Sequence, residues 1–254
     1  MPDRKHAPPR AADEGRMLIT GSRLAYRGPF GHPGIRTLGG WTFYLALDRR
    51  FSISMGESPA AHAAFAAVPP YVPHRVTTQA REMAQVLVEA ETVDDAFFRQ
   101  LVAGAARRRA AAERMLEAFA AAAPGAGDFD LRFFGAVLPG RALDPRIERS
   151  VAMINGDPAG RATAASHAAI AGLSLSRFAH LFREQTQVTF RRFRAWKRAR
   201  ALMPLIDGRR SLVDVALSAG YADSTHFSHS VRQFYGYSPR FIFTETPRPS
   251  VIAL

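Results

Sequence analysis

The chain has 254 residues, a hydrophobic fraction of 47%, and 34 Lys and Arg against 22 Asp and Glu, for a formal charge of +12. Length and apolar content suit two cored domains with a linker, and the positive surplus points to an anionic partner, nucleic acid ahead of a membrane surface. There is no cysteine, which excludes a disulfide frame, a zinc ribbon and a thiol nucleophile.

Residues 1–16, MPDRKHAPPRAADEGR, are polar and proline-rich without an apolar stretch, and read as a disordered tail instead of a signal peptide. No run approaches the length of a membrane span, so a soluble, cytoplasmic protein is expected. From 17 to 92 the text changes to short strand-like runs, MLITGSRLAY, GWTFYLAL, RFSISM and MAQVLVEA, set apart by Gly and Pro, and a small antiparallel β domain is expected. Phe65–His74, with several prolines, reads as a rigid loop at the mouth of a barrel.

Residues 93–143 read as a helical linker. Asp94 and Asp95 mark a helix start and Pro124-Gly125 its end, so one helix is expected over 94–123, followed by a second over 131–138. Phe97, Leu101 and Val102 form one apolar patch and Met115, Leu116 and Phe119 another. Such patches suit either an antiparallel helix pair, within the subunit or across a homodimer, or a cover for the β domain.

The last third carries an internal repeat: Ala171-Gly172-Leu173-Ser174 recurs as Ala219-Gly220-Tyr221-Ala222, and, one residue further on in the second copy, Phe178, Arg183 and Thr189 match Phe227, Arg232 and Ser238. Two copies are too few for a solenoid and describe a duplicated motif. Each has the layout of a helix, a glycine turn and a second helix. Gly172 and Gly220 supply the left-handed turn, Ser174 and either Asp223 or Ser224 cap the following helix, and the remaining polar positions face outward. Those outward residues, with the caps, make the candidate DNA-reading set: Ser174, Ser176, Arg177, His180 and Arg183 in the first copy, and Asp223, Ser224, Thr225, His226, His229 and Arg232 in the second. Arginine is the strongest of these chemically, because a guanidinium bridges guanine acceptors or clamps a phosphate. Between the copies, Arg191, Arg192, Arg194 and Lys197 lie on a basic stretch with Phe193 and Trp196 as packing anchors, and are expected beside the DNA backbone.

These residues closely resemble the DNA-binding domain of the AraC/XylS family of transcription regulators. The resemblance begins at Asp144-Pro-Arg-Ile147, passes through GLSLSRFAHLFREQ at 172–185 and ends with SLVDVALSAGYADSTHFSHSVRQFYGYSP at 211–239. It implies an α+β protein: a cupin-like regulatory domain at 17–92, with PPYVPHRV at 69–76 as its best local match, the helical linker at 93–143, and an all-α domain with two helix-turn-helix motifs at 144–246, before a tail at 247–254. It implies recognition helices within 174–183 and 223–232 that enter successive major grooves of promoter DNA, and, as further partners, a small-molecule effector, a second copy and RNA polymerase. Four departures stand out: Gln187 where the family usually has glycine, Pro204 near the end of the connecting helix, His229 for a frequent arginine, and an alanine-rich helix at 162–171 that includes His167.

An enzymatic reading needs histidines and a carboxylate converging on one metal ion, as in metal-dependent cupins. His32, His62 and His74 are scattered and no His-x-His pair occurs, so no metal, no cofactor and no catalysis are expected. His226 and His229, three apart on one helix, have no third ligand nearby. A third alternative is an interaction protein that keeps the fold without binding DNA.

Overall fold

The computed structural model describes residues 15–80, 82–121, 128–207, 211–245 and 249–253. Most of the predicted tail at 1–16, and the Pro124-Gly125 stop, lie outside them. Among these described residues nine strands form two sheets: β1 Arg16–Ile19, β2 Arg23–Gly28, β3 Gly40–Ala46, β4 Phe51–Met55, β5 Ala61–Ala63, β6 Phe65–Val68, β7 His74–Thr77, β8 Met83–Glu89 and β9 Ser250–Ala253. The larger sheet runs β6-β3-β8-β2-β1-β9 and the smaller β5-β4-β7. All pairs are antiparallel except β1 with β9.

The central strands β3 and β8 are almost wholly buried, which explains their near-continuous apolar sequences. Alternation along them divides two cores. Phe43, Val86 and Val88 face the helical layer, while Tyr44 and Met83 pack with Phe51, Ile53 and Val76 of the smaller sheet. The predicted loop 65–74 shrinks to residues 69–73, because Phe65–Val68 pairs with β3 and His74 begins β7.

The single helix expected over 94–123 is two: α1 Asp95–Leu101, capped by Asp94, and α2 Ala105–Ala120, divided at Gly104 with φ +84°. The stretch predicted over 131–138 forms earlier, as α3 Phe129–Phe134, and stops at the left-handed Gly135. Phe98, Met115 and Phe133 are buried against the larger sheet, with Phe97, Leu101, Leu116 and Phe119 packed around them. Both apolar patches of the linker are therefore used inside the subunit, as the cover-helix alternative had it.

The carboxyl-terminal part is helical: α4 Pro145–Gly156, α5 Ala164–Ile170, α6 Leu175–Thr186, α7 Phe190–Arg200, α8 Leu212–Ser218 and α9 Ser224–Tyr235. Pro204 does not kink α7, which has already ended; it sits in a short 3-10 turn, Met203–Asp207. The expected tail at 247–254 is instead partly strand, since β9 adds to the edge of β1 in register Met17↔Val251. One apolar cluster holds Met17, Leu24 and Leu87 of the β region together with Trp196, Leu202, Val215 and Phe234, so the two regions share a core.

Candidate nucleic-acid interface

Local hydrogen bonds build both helix-turn-helix units in the same way. Thr163 caps α5 in a reciprocal box with Ser166, and Ser211 caps α8 by accepting from the Asp214 amide. At the first turn Gly172 N donates to Ala169 O at 3.1 Å and Leu173 N to Ala168 O at 2.9 Å; at the second, Gly220 N donates to Leu217 O at 2.9 Å and Tyr221 N to Ala216 O at 3.0 Å. The glycines have φ +65° and +71°, so the repeat seen in the letters is a repeat of backbone conformation. Past the turns, the Ser174 hydroxyl accepts from Arg177 N and the Asp223 carboxylate from His226 N, at 3.3 and 2.7 Å, which begins α6 and α9. Of the two caps foreseen for the second unit, Asp223 is the one used.

Phe178, Leu181 and Phe182 of α6 and Phe227, Val231 and Phe234 of α9 point inward. On the opposite faces Ser174, Ser176, Arg177, His180 and Arg183 are all exposed, as are Asp223, Ser224, Thr225, His226, His229 and Arg232. No described group of three or more His, Asp or Glu is arranged to hold a metal ion. Gln187 ends α6 with φ +61°, the same left-handed cap that Gly236 gives α9 with φ +76°, so this departure leaves the helix end unchanged. His167 of α5 is buried between the Phe178 and Phe190 rings and gives the alanine-rich helix its bulk.

The basic set on α7 divides. Arg191 is exposed. Arg192 is half-buried and donates to Tyr71 O at 3.1 Å, and Arg194 donates to the carbonyls of Gly160 and Ala162. Lys197, expected beside DNA, is only 4% exposed. It pairs with Glu89 at 2.6 Å and with Glu91, while Trp196 Nε1 donates to Glu89 at 2.7 Å. Arg200 completes the cluster, with Nη2 on the Thr20 and Arg23 carbonyls at 3.1 and 2.9 Å and Nε 3.2 Å from Glu89. Burial pushes the Glu89 carboxyl up, but Lys197 and Arg200 outweigh it and hold it below its ordinary value. Burial leaves Glu91 raised. Lys197 is thus a seam residue of this fold and not part of the outer face. Glu89 and Glu91 were overlooked in the sequence because their partners lie more than a hundred residues away.

A second feature missed in the sequence is Arg36, in the loop before β3. It is 3% exposed, its Nε and Nη2 have no partner, and its guanidinium lies 4.7 and 4.8 Å from the Phe30 and Tyr44 ring centres. Among the described residues no carboxylate pairs with it. Arg36 opens on a largely apolar cavity between the larger sheet and the carboxyl-terminal helices, walled by Leu24, Tyr26, Trp196, Met203 and Tyr235. Behind it, His74 Nδ1–H donates to Val72 O and its Nε2 accepts from the Tyr44 hydroxyl, both at 2.8 Å. Burial and the adjacent Arg36 lower the His74 pKa to about 4.

A family model described as "Helix-turn-helix domain" matches residues 167–244. Comparison with curated proteins gives no match. Among solved structures, an apo variant of ToxT from Vibrio cholerae strain SCE256 superposes with TM-score 0.59 at 10% identity, over 87% of this chain and 97% of that one. ToxT from Vibrio cholerae O395 gives 0.56 at 12%, with the same coverage. A ToxT structure described as bound to (E)-4-(8-methylnaphthalen-1-yl)but-3-enoic acid also gives 0.56 at 12%, over 88% of this chain and 100% of that one. The fold is that of ToxT, and no helix among the described residues is long and apolar enough to cross a membrane. Residues 167–244 thus hold a helix-turn-helix domain whose unit is duplicated, with the outer faces of α6 and α9 exposed, in a chain with the fold of ToxT.

Proposed function

We propose that α6 and α9 enter successive major grooves of a promoter and that the cavity beside Arg36 takes the effector. The observation that carries the first part is the exposure of all eleven candidate DNA-reading residues on two helices that begin and end alike. Arg177 and Arg183 read bases or clamp phosphates from the first unit; Thr225, His226, His229 and Arg232 do so from the second. Arg191 meets the backbone at the start of α7. The chain acts by binding, without catalysis, and meets RNA polymerase and a second copy of itself at the promoter. The first test uses duplexes from upstream of its own gene. Arg177→Ala should lose about 1–3 kcal/mol of binding and relax preference at one base step. Loss of equal size on every sequence would move Arg177 to a phosphate, and no salt-dependent binding of any duplex would sink the reading.

The effector is an apolar or aromatic carboxylic acid. A buried guanidinium without a counter-ion is costly, and an acid head on Arg36 with its body along Leu24, Trp196 and Met203 satisfies both surfaces. The naphthalenyl butenoic acid named for the ToxT structure has that chemistry. Saturation at a hundred times Kd stabilises by about 2.7 kcal/mol, so this acid should raise the melting temperature of the wild-type chain and not of Arg36→Gln. Equal shifts in both proteins, or none in the wild type, would remove Arg36 as the anchor.

A further inference from the structure

The loop between β6 and β7 contains Pro69, Pro70, Tyr71, Val72 and Pro73, and Tyr71 has φ +61°. A bulky residue keeps that left-handed backbone only where its surroundings hold it there, and such points collect at functional sites. Three contacts hold Tyr71. Its amide donates to Leu38 O at 2.7 Å, its carbonyl accepts from Arg192 Nη2 at 3.1 Å, and the Arg192 guanidinium lies 5.0 Å from its ring centre.

The ring touches two cores at once. It packs against the cluster shared by the β region and the second helix-turn-helix unit, and against the first unit's own cluster around Ile147, Phe178 and Phe190. Among the described apolar residues of positions 15–142, it alone packs on that second cluster. The other end of the loop reaches the cavity, where Arg36 N donates to His74 O at 2.9 Å and His74 N to Arg36 O at 3.0 Å. Leu38, which accepts the Tyr71 amide, also lines the cavity wall. One short, proline-stiffened loop therefore joins the residues around Arg36 to the first helix-turn-helix unit.

We propose that Tyr71 is a strut by which the β region holds the first DNA-reading unit, and that a ligand on Arg36 acts on that unit by moving the loop. The strut stands on the contacts above; only its response to a ligand rests on the effector reading. Glycine at 71 keeps the left-handed backbone and deletes the ring, whereas phenylalanine keeps the ring and deletes the buried hydroxyl that has no partner.

Hydrogen exchange of the full chain without ligand tests the strut. Tyr71→Gly should speed exchange in 164–186 about tenfold and in 212–235 by much less, since the second unit is also held by the larger sheet, while Tyr71→Phe keeps wild-type protection throughout. Unchanged protection in Tyr71→Gly overturns the proposal; so does equal loosening of both units, which marks general destabilisation, or an equal effect of Tyr71→Phe. A second arm adds (E)-4-(8-methylnaphthalen-1-yl)but-3-enoic acid. The acid should alter protection of 164–186 in the wild type and not in Tyr71→Gly. A wild type whose melting temperature rises with the acid while 164–186 stays unchanged refutes the coupling and leaves the effector reading intact. A wild type whose melting temperature does not move refutes that reading, and the ligand-free exchange still decides the strut.

Discussion

Around Gly172 a Cβ would meet nothing within 4 Å; around Gly220 it would stand 2.6 Å from the Ala159 carbonyl oxygen. The same contrast holds for the units as wholes. The first has a core of its own, built on Phe178, Phe182 and Phe190, and meets the β region through Tyr71. The second shares its core with the larger sheet and is bonded to the loop before β3, with Gly34 N on Gly236 O at 2.7 Å and Thr37 N on Gln233 O at 3.0 Å. Two copies of one local motif thus differ in what their stability depends on: one on its own packing, the other on a seam that forms only when distant strands and helices dock.

The sharpest way to break this contrast is at the seam. Glu89→Ala leaves Lys197 and Arg200 buried without their shared carboxylate and should cost about 3–5 kcal/mol in denaturant unfolding. The second unit should lose exchange protection before the first; simultaneous loss would deny the difference.

Acid acts on the same side of the molecule. His74 has its pKa depressed to about 4, so between that value and the ordinary 6.5 the unfolded chain binds a proton that the folded chain does not. The histidine therefore imposes no penalty above pH 6.5, and stability falls as pH drops toward 4, by about 3 kcal/mol in all. His74→Gln should flatten that part of the stability profile; an unchanged profile would assign the acid sensitivity elsewhere.

The turns sharpen the contrast directly. Alanine at position 172 faces only the left-handed backbone and should cost about 1–2 kcal/mol. At position 220 it also meets the Ala159 carbonyl, so the loss should exceed that by about 1 kcal/mol or more. Equal losses in thermal unfolding would mean that Ala159 moves aside freely. The smallest expected effect is a gain. Gln187→Gly relieves a left-handed non-glycine cap and should stabilise by about 0.5–1 kcal/mol, less whatever the Gln187 side-chain bond to Glu184 O contributes.

Much of the helix-turn-helix part was legible in the letters because its rules are local. The spacing of Phe178 and Phe182, the caps Ser174 and Asp223 and the turn glycines each act within four residues, and the structure keeps them where they were expected. The β region was legible as strands and less so as boundaries. Phe65–Val68 was read as loop because prolines follow it, although its pairing with β3 is what makes it a strand. The linker was read as one helix because alanine and arginine carry helical propensity across Gly104, whose backbone conformation divides it.

By itself the sequence determined the two capped, glycine-hinged units, their inward aromatic residues and their polar outer faces, since helix periodicity and capping need only near neighbours. Only the tertiary structure decided which cations of α7 remain outside. Arg191 and Lys197 are alike in composition, yet Lys197 lies on the face that docks to Glu89 and Glu91 and Arg191 does not. The same docking buried Arg36 without a carboxylate and set Tyr71 between two cores. Charge is written in the residues, but its partner is chosen by which surfaces exclude water together.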